Sequence, residues 1–331
     1  MATIIDIAKA CGVSTATVSY ALNGKGNISE EKRAQIRETA REMNYVPSQA
    51  ARNLQKGKSD VVCVIIPDIT SFFNNQVFGF IEQKLRAHHL QVIVACSRGK
   101  EDLETEIFER TFSQKPLGII WFPKEATERT FERIDAMLET YQIPTLAVYK
   151  KMGNTKRLKY LEWDIQDGIK KVTEYLLEKG LSDIFYFGSK DCDHYSTLKY
   201  RGYEQAFLQR GLPVPDFVCY MEQTYLSAQT FTKAFIKSGR KLPQAIVAVN
   251  DITGYGIVSA LEEHGVKVPQ QVSVVGIDGV RFYYTKHKMT TVTPDLRILA
   301  EKCVDIIHAF GKYPKEIYRI QNQIEKGTTS L

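Results

Sequence analysis

The chain has 331 residues, 44% of them hydrophobic and 25% charged, with a formal net charge of +6; it is longer than one ordinary hydrophobic core needs, and its composition is that of a globular protein. No run of about 18 apolar residues occurs, and the N-terminus lacks the basic, apolar and small-residue succession of a secretory signal, which excludes a membrane-spanning helix and predicts a cytoplasmic protein. Cys11, Cys63, Cys96, Cys192, Cys219 and Cys303 form no CxxC pair and are expected as buried, reduced thiols.

The charge is unevenly placed. Residues 1–60 hold nine Lys and Arg against six Asp and Glu, a net +3, and the other 271 residues hold 35 against 32, also +3. A basic head on a near-neutral body suits a polyanionic partner, although a solvated charged face would have the same composition. Ile4, Ile7, Ala8 and Cys11 recur at helical spacing, and Thr3 with Asp6 forms the T-x-x-D start signal. Gly12 supplies a turn, Ser14 caps a second helix that runs to about Leu22, and NGKGN ends it. Ser29 caps a third helix that ends near Asn44, with Ile36, Ala40 and Met43 facing inward. The second helix keeps Val13, Val18 and Leu22 for a core and leaves Ser14, Thr15, Thr17, Ser19 and Tyr20 outside. A helix, a glycine turn and a hydroxyl-capped helix make the helix-turn-helix pattern, whose second helix enters the major groove. Small hydroxyl side chains allow close approach to the duplex and bond phosphate oxygens without bulk.

Pro47 disfavours helix at Val46, Ser48 can cap a fourth helix, and Gly57 stops it. This segment is shorter than the roughly 12 to 15 residues that an isolated helix needs, so alone it is expected to be mostly unfolded. From Asp60 the texture changes to VVCVIIPD, the apolar run of a parallel strand buried on both faces. LQVIVAC, LGIIWF, PTLAVY, DIFYFGS, FVCYM, AIVAVN and VSVVGI follow, separated by amphipathic segments such as 101–114, 167–180, 198–210 and 251–264. The alternation predicts an α/β fold with doubly wound parallel sheets, in two lobes with a cleft between them. Ligands of such sheets bind beyond the carboxyl ends of the strands, so Asp68, Asn250 with Asp251, and Asp278 are expected to line a pocket.

Two segments imitate other sites. Gly57, Lys58 and Ser59 end like a phosphate-binding loop, but Arg52 stands where its first glycine belongs and a strand follows. Asp191 to His194 read DCDH without a second ligand group at zinc spacing, as a polar loop at a strand end would. GxSxG, HExxH and a GxGxxG after a strand are missing; no catalytic residue, metal or cofactor is predicted.

The N-terminal segment ATIIDIAKACGVSTATVSYALNGKGNISEEKRAQIRETAREMNYVPSQAARNL resembles the headpiece and hinge of the lac-repressor/galactose-repressor family without a gap over about 55 residues. CVIIPD, VAVND, VSVVGID and the tail IEKGTTS are similar, more loosely, to the family's body, which itself resembles periplasmic sugar-binding proteins. The resemblance implies a helix-turn-helix headpiece at 1–46, a hinge helix and linker at 47–58, and an effector-binding and dimerisation body at 59–331. Within that body the first lobe takes about 60–160 plus 291–318, and the second about 161–290 plus 319–331. It assigns base reading to Thr15, Ala16 and Tyr20, and phosphate contacts to Ser14, Thr17, Ser19, Asn23, Ser29 and Tyr45. Leu54, with Ala51 beside it, falls on the hinge leucine that the family wedges into the minor groove. In the body the resemblance implies effector contacts from Phe72, Phe73, Lys199, Asn250 and Asp278, with Arg201 as a neighbouring cation.

Three departures qualify these assignments. Tyr20 stands where Arg is usual, so the bidentate contact to guanine is lost. PDITSFFNNQ is one residue shorter than the usual PDISNPFF, which leaves the alignment of Phe72 and Phe73 open. Lys199 replaces an Arg. Asn250 and Asp278 suit a polyhydroxyl ligand, as acceptors for its hydroxyls, or cap the segments that follow them. Arg281, Lys286, His287 and Lys288 would favour a phosphorylated or acidic ligand, or form an exposed basic loop. The implied protein is a repressor that binds a pseudo-palindromic double-stranded DNA operator as a homodimer, under control of a small molecule, a sugar or sugar derivative. The competing reading is a cytoplasmic ligand-binding module or sugar-acting enzyme that binds no operator.

Overall fold

The computed structural model describes residues 2–45, 59–124, 126–189, 194–282 and 285–331. The chain forms two compact units, Met1–Ser59 and Asp60–Leu331.

The first unit contains α1 (Ile4–Cys11), α2 (Thr15–Leu22) and α3 (Glu30–Glu42). The Thr3–Asp6 capping box starts α1, and Gly12, at φ 65° and ψ 37°, ends it in the left-handed conformation that glycine adopts without a Cβ penalty. Ile7, Ala8, Cys11, Val18, Ala21, Ile36 and Ala40 form a small core. Polar ties reinforce it. Lys32 Nζ donates to the Cys11 carbonyl (2.8 Å), and the Arg33 guanidinium to those of Ala21 (3.5 Å) and Gly26 (3.3 Å). These two cations hold α3 against the turns that flank α2.

The second unit holds two six-stranded sheets. The first has the order β11-β5-β4-β3-β1-β2, formed by Ile317–Ile320, Lys159–Trp163, Thr145–Ala147, Gly118–Trp121, Val61–Ile66 and Gln91–Cys96. The strand alternation of β1 sends Val62, Val64 and Ile66 to one face, under α4 (Phe72–Ala87) and α11 (Leu296–His308). Cys63 and Ile65 go to the other, under α5 (Glu101–Ser113) and α6 (Glu128–Tyr141). The second sheet has the order β12-β10-β9-β8-β6-β7, formed by Asn322–Glu325, Thr290–Pro294, Ser273–Ile277, Ala245–Ala248, Ile184–Ser189 and Val218–Met221. The helices α7 (Ile165–Glu178) and α8 (His194–Leu208) cover one face, and α9 (Tyr225–Lys237) and α10 (Asp251–Glu263) the other.

The chain passes between the sheets at 163–165, 294–296 and 320–322. The second crossing lies later than the sequence boundary near 291, because β10 pairs with β9 and β12 inside the second sheet. β10 runs toward the crossings and β12 away from them, so this one pair is antiparallel while the other pairings are parallel. Cys11, Cys63, Cys219 and Cys303 are buried as expected, but Cys96, at the end of the edge strand β2, is exposed; Cys192 lies outside the described residues. Among those residues no helix is long and apolar enough to cross a membrane.

Candidate functional site

Two surfaces carry the residues singled out in the sequence. On the first unit, Thr15, Ala16, Tyr20 and Asn23 are exposed along α2, and Thr17 and Ser19 are half-buried. Ser14 Oγ accepts the Thr17 N–H (3.1 Å) and lies 2.9 Å from Thr17 Oγ1. Ser29 Oγ accepts the Lys32 N–H (3.3 Å). A hydroxyl used in this way as a cap keeps its own proton, so Ser29 and the Ser14–Thr17 pair each retain an O–H for a phosphate oxygen. Asn23 Nδ2 donates to the Ser19 carbonyl (2.8 Å) and closes the end of α2. Tyr20 is 52% exposed, and its ring lies over Gly26, where an added Cβ would come within 3.3 Å of it. Gly26 also sits at φ 74°, so the loop needs glycine there on both counts. Tyr45 is half-buried against the headpiece core. Ala51 and Leu54, with the hinge at 47–58, lie outside the described residues.

The second surface is a cleft of about 630 Å³ between the two sheets of the body, a size usual for small-molecule sites. Its walls come from the carboxyl ends of the strands, as the topology requires. Phe72 and Phe73 open α4 beneath the Ser71 cap, and Asp68 anchors the preceding turn by accepting the Thr70 N–H (2.8 Å). Both phenylalanines line the cleft. The Phe73 ring lies 5.5 Å from Trp163, and that of Phe72 lies 4.8 Å from Phe282 of the other lobe.

Lys199, Asn250 and Asp278 also line it. Lys199 is buried, and its Nζ donates to the Val249 carbonyl (2.7 Å). Asp278 is half-buried at the end of β9. Loss of water pushes its carboxyl up to about 6, against the opposing pull of Lys199. Asn250 is both a cap and a wall. Its Oδ1 accepts the Thr253 N–H (2.9 Å) at the start of α10, and its Nδ2 donates to Gln223 Oε1 (3.2 Å). The expected acceptor role is thereby taken up by the helix, and Asn250 offers the cleft an N–H instead.

Four further outcomes correct or extend the sequence reading. Asp251 lies wholly buried behind the cleft rather than on its wall. Arg201 is exposed and does not line it. The four basic residues just beyond Val280 each meet a carboxylate: Arg281 meets Glu325 (2.9 Å), Lys286 and His287 meet Glu262 (3.0 and 2.8 Å), and Lys288 meets Glu325 (3.9 Å). Gln223, Trp163, Tyr195 and Ser196 line the cleft without having been foreseen. Gln223 follows the strand FVCYM by two residues, so the strand-tip rule applied there would have found it. Asp191 and Asp193 of the DCDH segment lie outside the described residues, as do Gly57 and Lys58; among the described residues no group of three or more His, Cys, Asp and Glu could hold a metal ion.

A hydroxyl-lined helix-turn-helix unit and a two-lobed cleft in one chain define a DNA-binding regulator with a ligand-binding body. Residues 3–48 match the family model of bacterial regulatory proteins, lacI family, and residues 173–317 that of a periplasmic binding protein-like domain. Catabolite control protein A of Staphylococcus aureus is 27% identical over 305 residues, 92% of this chain and 88% of that protein. The lac repressor dimer bound to operator and the anti-inducer ONPF shares the fold with a TM-score of 0.83 at 20% identity, over 100% of this chain and 99% of that one. The complex of the transcriptional regulator CelR with cellobiose has a TM-score of 0.65 at 19% identity, with 100% of both chains covered. The headpiece thus matches the lacI family of bacterial regulatory proteins, and over most of its length the chain is similar to a catabolite control protein.

Proposed function

We propose that the protein represses transcription in the cytoplasm by binding a pseudo-palindromic operator as a homodimer, with operator affinity set by a neutral sugar in the interlobe cleft. In this reading α2 of each copy enters the major groove of one half-site. Thr15, Ala16 and Tyr20 read bases; Ser14, Thr17, Ser19, Asn23, Ser29 and Tyr45 bond phosphates. Ala51 and Leu54, at the hinge between headpiece (1–46) and body (59–331), wedge the minor groove at the operator centre. Inserting an apolar side chain there costs a few kcal/mol of unstacking, offset by the contacts that the bent duplex makes.

The observation that carries the ligand class is the charge balance of the cleft. Among the described residues its charged lining is two acids, Asp68 and Asp278, against two cations, Lys124 and Lys199, and the basic side chains that would favour a phosphate are engaged by Glu262 and Glu325. Asp278 as acceptor, the amides of Asn250 and Gln223 as donors, and the rings of Phe72, Phe73 and Trp163 suit the hydroxyls and apolar face of an uncharged sugar. Similarity to the cellobiose-bound regulator supports the same class.

A filter-binding titration tests the DNA arm. Sites selected from a randomised duplex library are expected to bind at least about 10³-fold tighter than unrelated duplex, with affinity falling steeply as salt rises because several phosphates are neutralised. Equal affinity for all duplexes would overturn the reading.

A further inference from the structure

Asp251 belongs to no surface described above, yet it touches the part of the cleft that most needs support. Asp278 has φ 120° and Gly279 φ 72°, and the first of these is a backbone conformation costly to an L side chain. Such a conformation persists only where its surroundings hold it. β10 supplies part of that hold: the Asp278 N–H donates to the Val292 carbonyl (3.1 Å), the Gly279 N–H to Thr291 Oγ1 (3.2 Å), and Thr293 Oγ1 to the Asp278 carbonyl (3.1 Å). Asp251 Oδ2 supplies the rest by accepting the Val280 N–H (2.7 Å) and the Thr291 hydroxyl (3.0 Å). Its other oxygen, Oδ1, has no hydrogen-bond partner among the described residues, and it fills the space where a side chain at position 276 would project. Gly276 is thus the residue that leaves room for this carboxyl.

We propose that Asp251 is the positioning residue of the effector cleft: from behind the floor it clamps the Asp278–Val280 turn, and so aims the Asp278 carboxylate at the bound sugar. The proposal rests on the reading of the cleft as a sugar site. A carboxyl fully out of water, with one oxygen unanswered, is a poor contribution to stability by itself; its place is explained by the strained turn it holds. The titratable groups around it are Asp278, which Lys199 faces from α8, and Tyr255 on α10. Burial raises the Asp251 carboxyl well above the ordinary range, and the Asp278 charge adds to this. Asp278 acts on Asp251 and not the reverse, so Asp278 ionises while Asp251 is still neutral.

Full-length Asp251→Asn and Asp251→Ala variants test this. The probes are glucose, galactose, ribose and cellobiose, read by calorimetry at pH 8, together with ¹³C-carboxyl NMR titration of aspartate-labelled protein, in which Asp278→Asn identifies the resonance. Asparagine keeps the acceptor for Val280 and Thr291 and is neutral as Asp251 is, so D251N is expected to bind the sugar within about twofold of the parent chain, with its Asp278 midpoint unmoved. D251A loses the clamp and is expected to bind about tenfold more weakly or worse, with its Asp278 midpoint displaced from that of D251N. Unchanged affinity or an unmoved Asp278 midpoint in D251A overturns the proposal. Should D251A fail to fold, D251N decides, because a tenfold loss of sugar affinity with the acceptor retained overturns the proposal. If none of the four sugars binds the parent chain, the sugar reading fails, and the NMR titration of D251A against D251N still decides the place of Asp251.

Discussion

Asp278 and Lys199 face each other in the cleft with different debts to solvent. Burial holds the Asp278 carboxyl near 6 in the folded chain, above its ordinary 3.8, so the folded state binds a proton between these values that the unfolded chain releases. Its contribution to stability therefore falls as pH rises from about 4 to 6. Sugar binding has the opposite sign, because ligand hydroxyls donate to the ionised form. Affinity for the sugar is expected to rise as pH is raised through 6, by up to about tenfold between pH 5 and pH 7, and to be flat in Asp278→Asn. A flat profile in the parent chain, measured by calorimetry, would remove Asp278 from the ligand contacts. On the other surface, Tyr20→Arg restores a bidentate partner for guanine. It is expected to shift base preference at one position per half-site by about 1–3 kcal/mol, and an unaltered preference across a randomised library would remove Tyr20 from the reading set. Asp278 was legible because its signal is local, a polar residue after an apolar run, whereas Lys199 came from the family resemblance alone. Trp163 escaped because it belongs to KYLEW, whose charged residues concealed a strand, and Asp251 was misplaced because adjacency to Asn250 in sequence does not place both on one wall.

Elements whose side chains follow a simple period were read correctly. α1, α2 and α3 carry their caps and glycine turns in the sequence, and β1, β3, β8 and β9 are uninterrupted apolar runs. β10 was missed for a physical reason. Its sequence TTVTP is polar, yet every residue is buried, because Thr290, Thr291 and Thr293 find hydrogen-bond partners in Ser330, Asp251 and the Asp278 carbonyl. A strand whose hydroxyls are satisfied internally looks like a loop to a pattern built on hydrophobicity. The small headpiece core makes its caps matter correspondingly more. Ser29→Ala removes the N-cap of α3 and is expected to cost about 1 kcal/mol, lowering the headpiece transition in calorimetry while the melting of the body stays in place. A shift of both transitions together would contradict this assignment.

At the scale of the whole molecule, the body is two sheets joined by three crossings, with the cleft bounded by both. The lobes are connected by the crossings and by contacts such as Phe72 with Phe282 and Tyr149 with Tyr195, so a ligand that bridges the cleft walls stabilises one interlobe angle over another. In the proposed mechanism coupling to DNA passes through the hinge, and it is reciprocal: the factor by which sugar changes operator affinity is the factor by which operator changes sugar affinity. Leu54→Ala is expected to weaken operator binding while leaving sugar affinity nearly intact; no change in either constant would remove the hinge wedge from the mechanism. The most direct measurement is a titration of the selected operator with full-length protein, with and without a saturating sugar from the four-member panel. The account predicts that operator affinity changes by about fivefold or more, with the same factor recovered when sugar is titrated in the presence of operator. Identical operator affinity with the cleft filled and empty would contradict it.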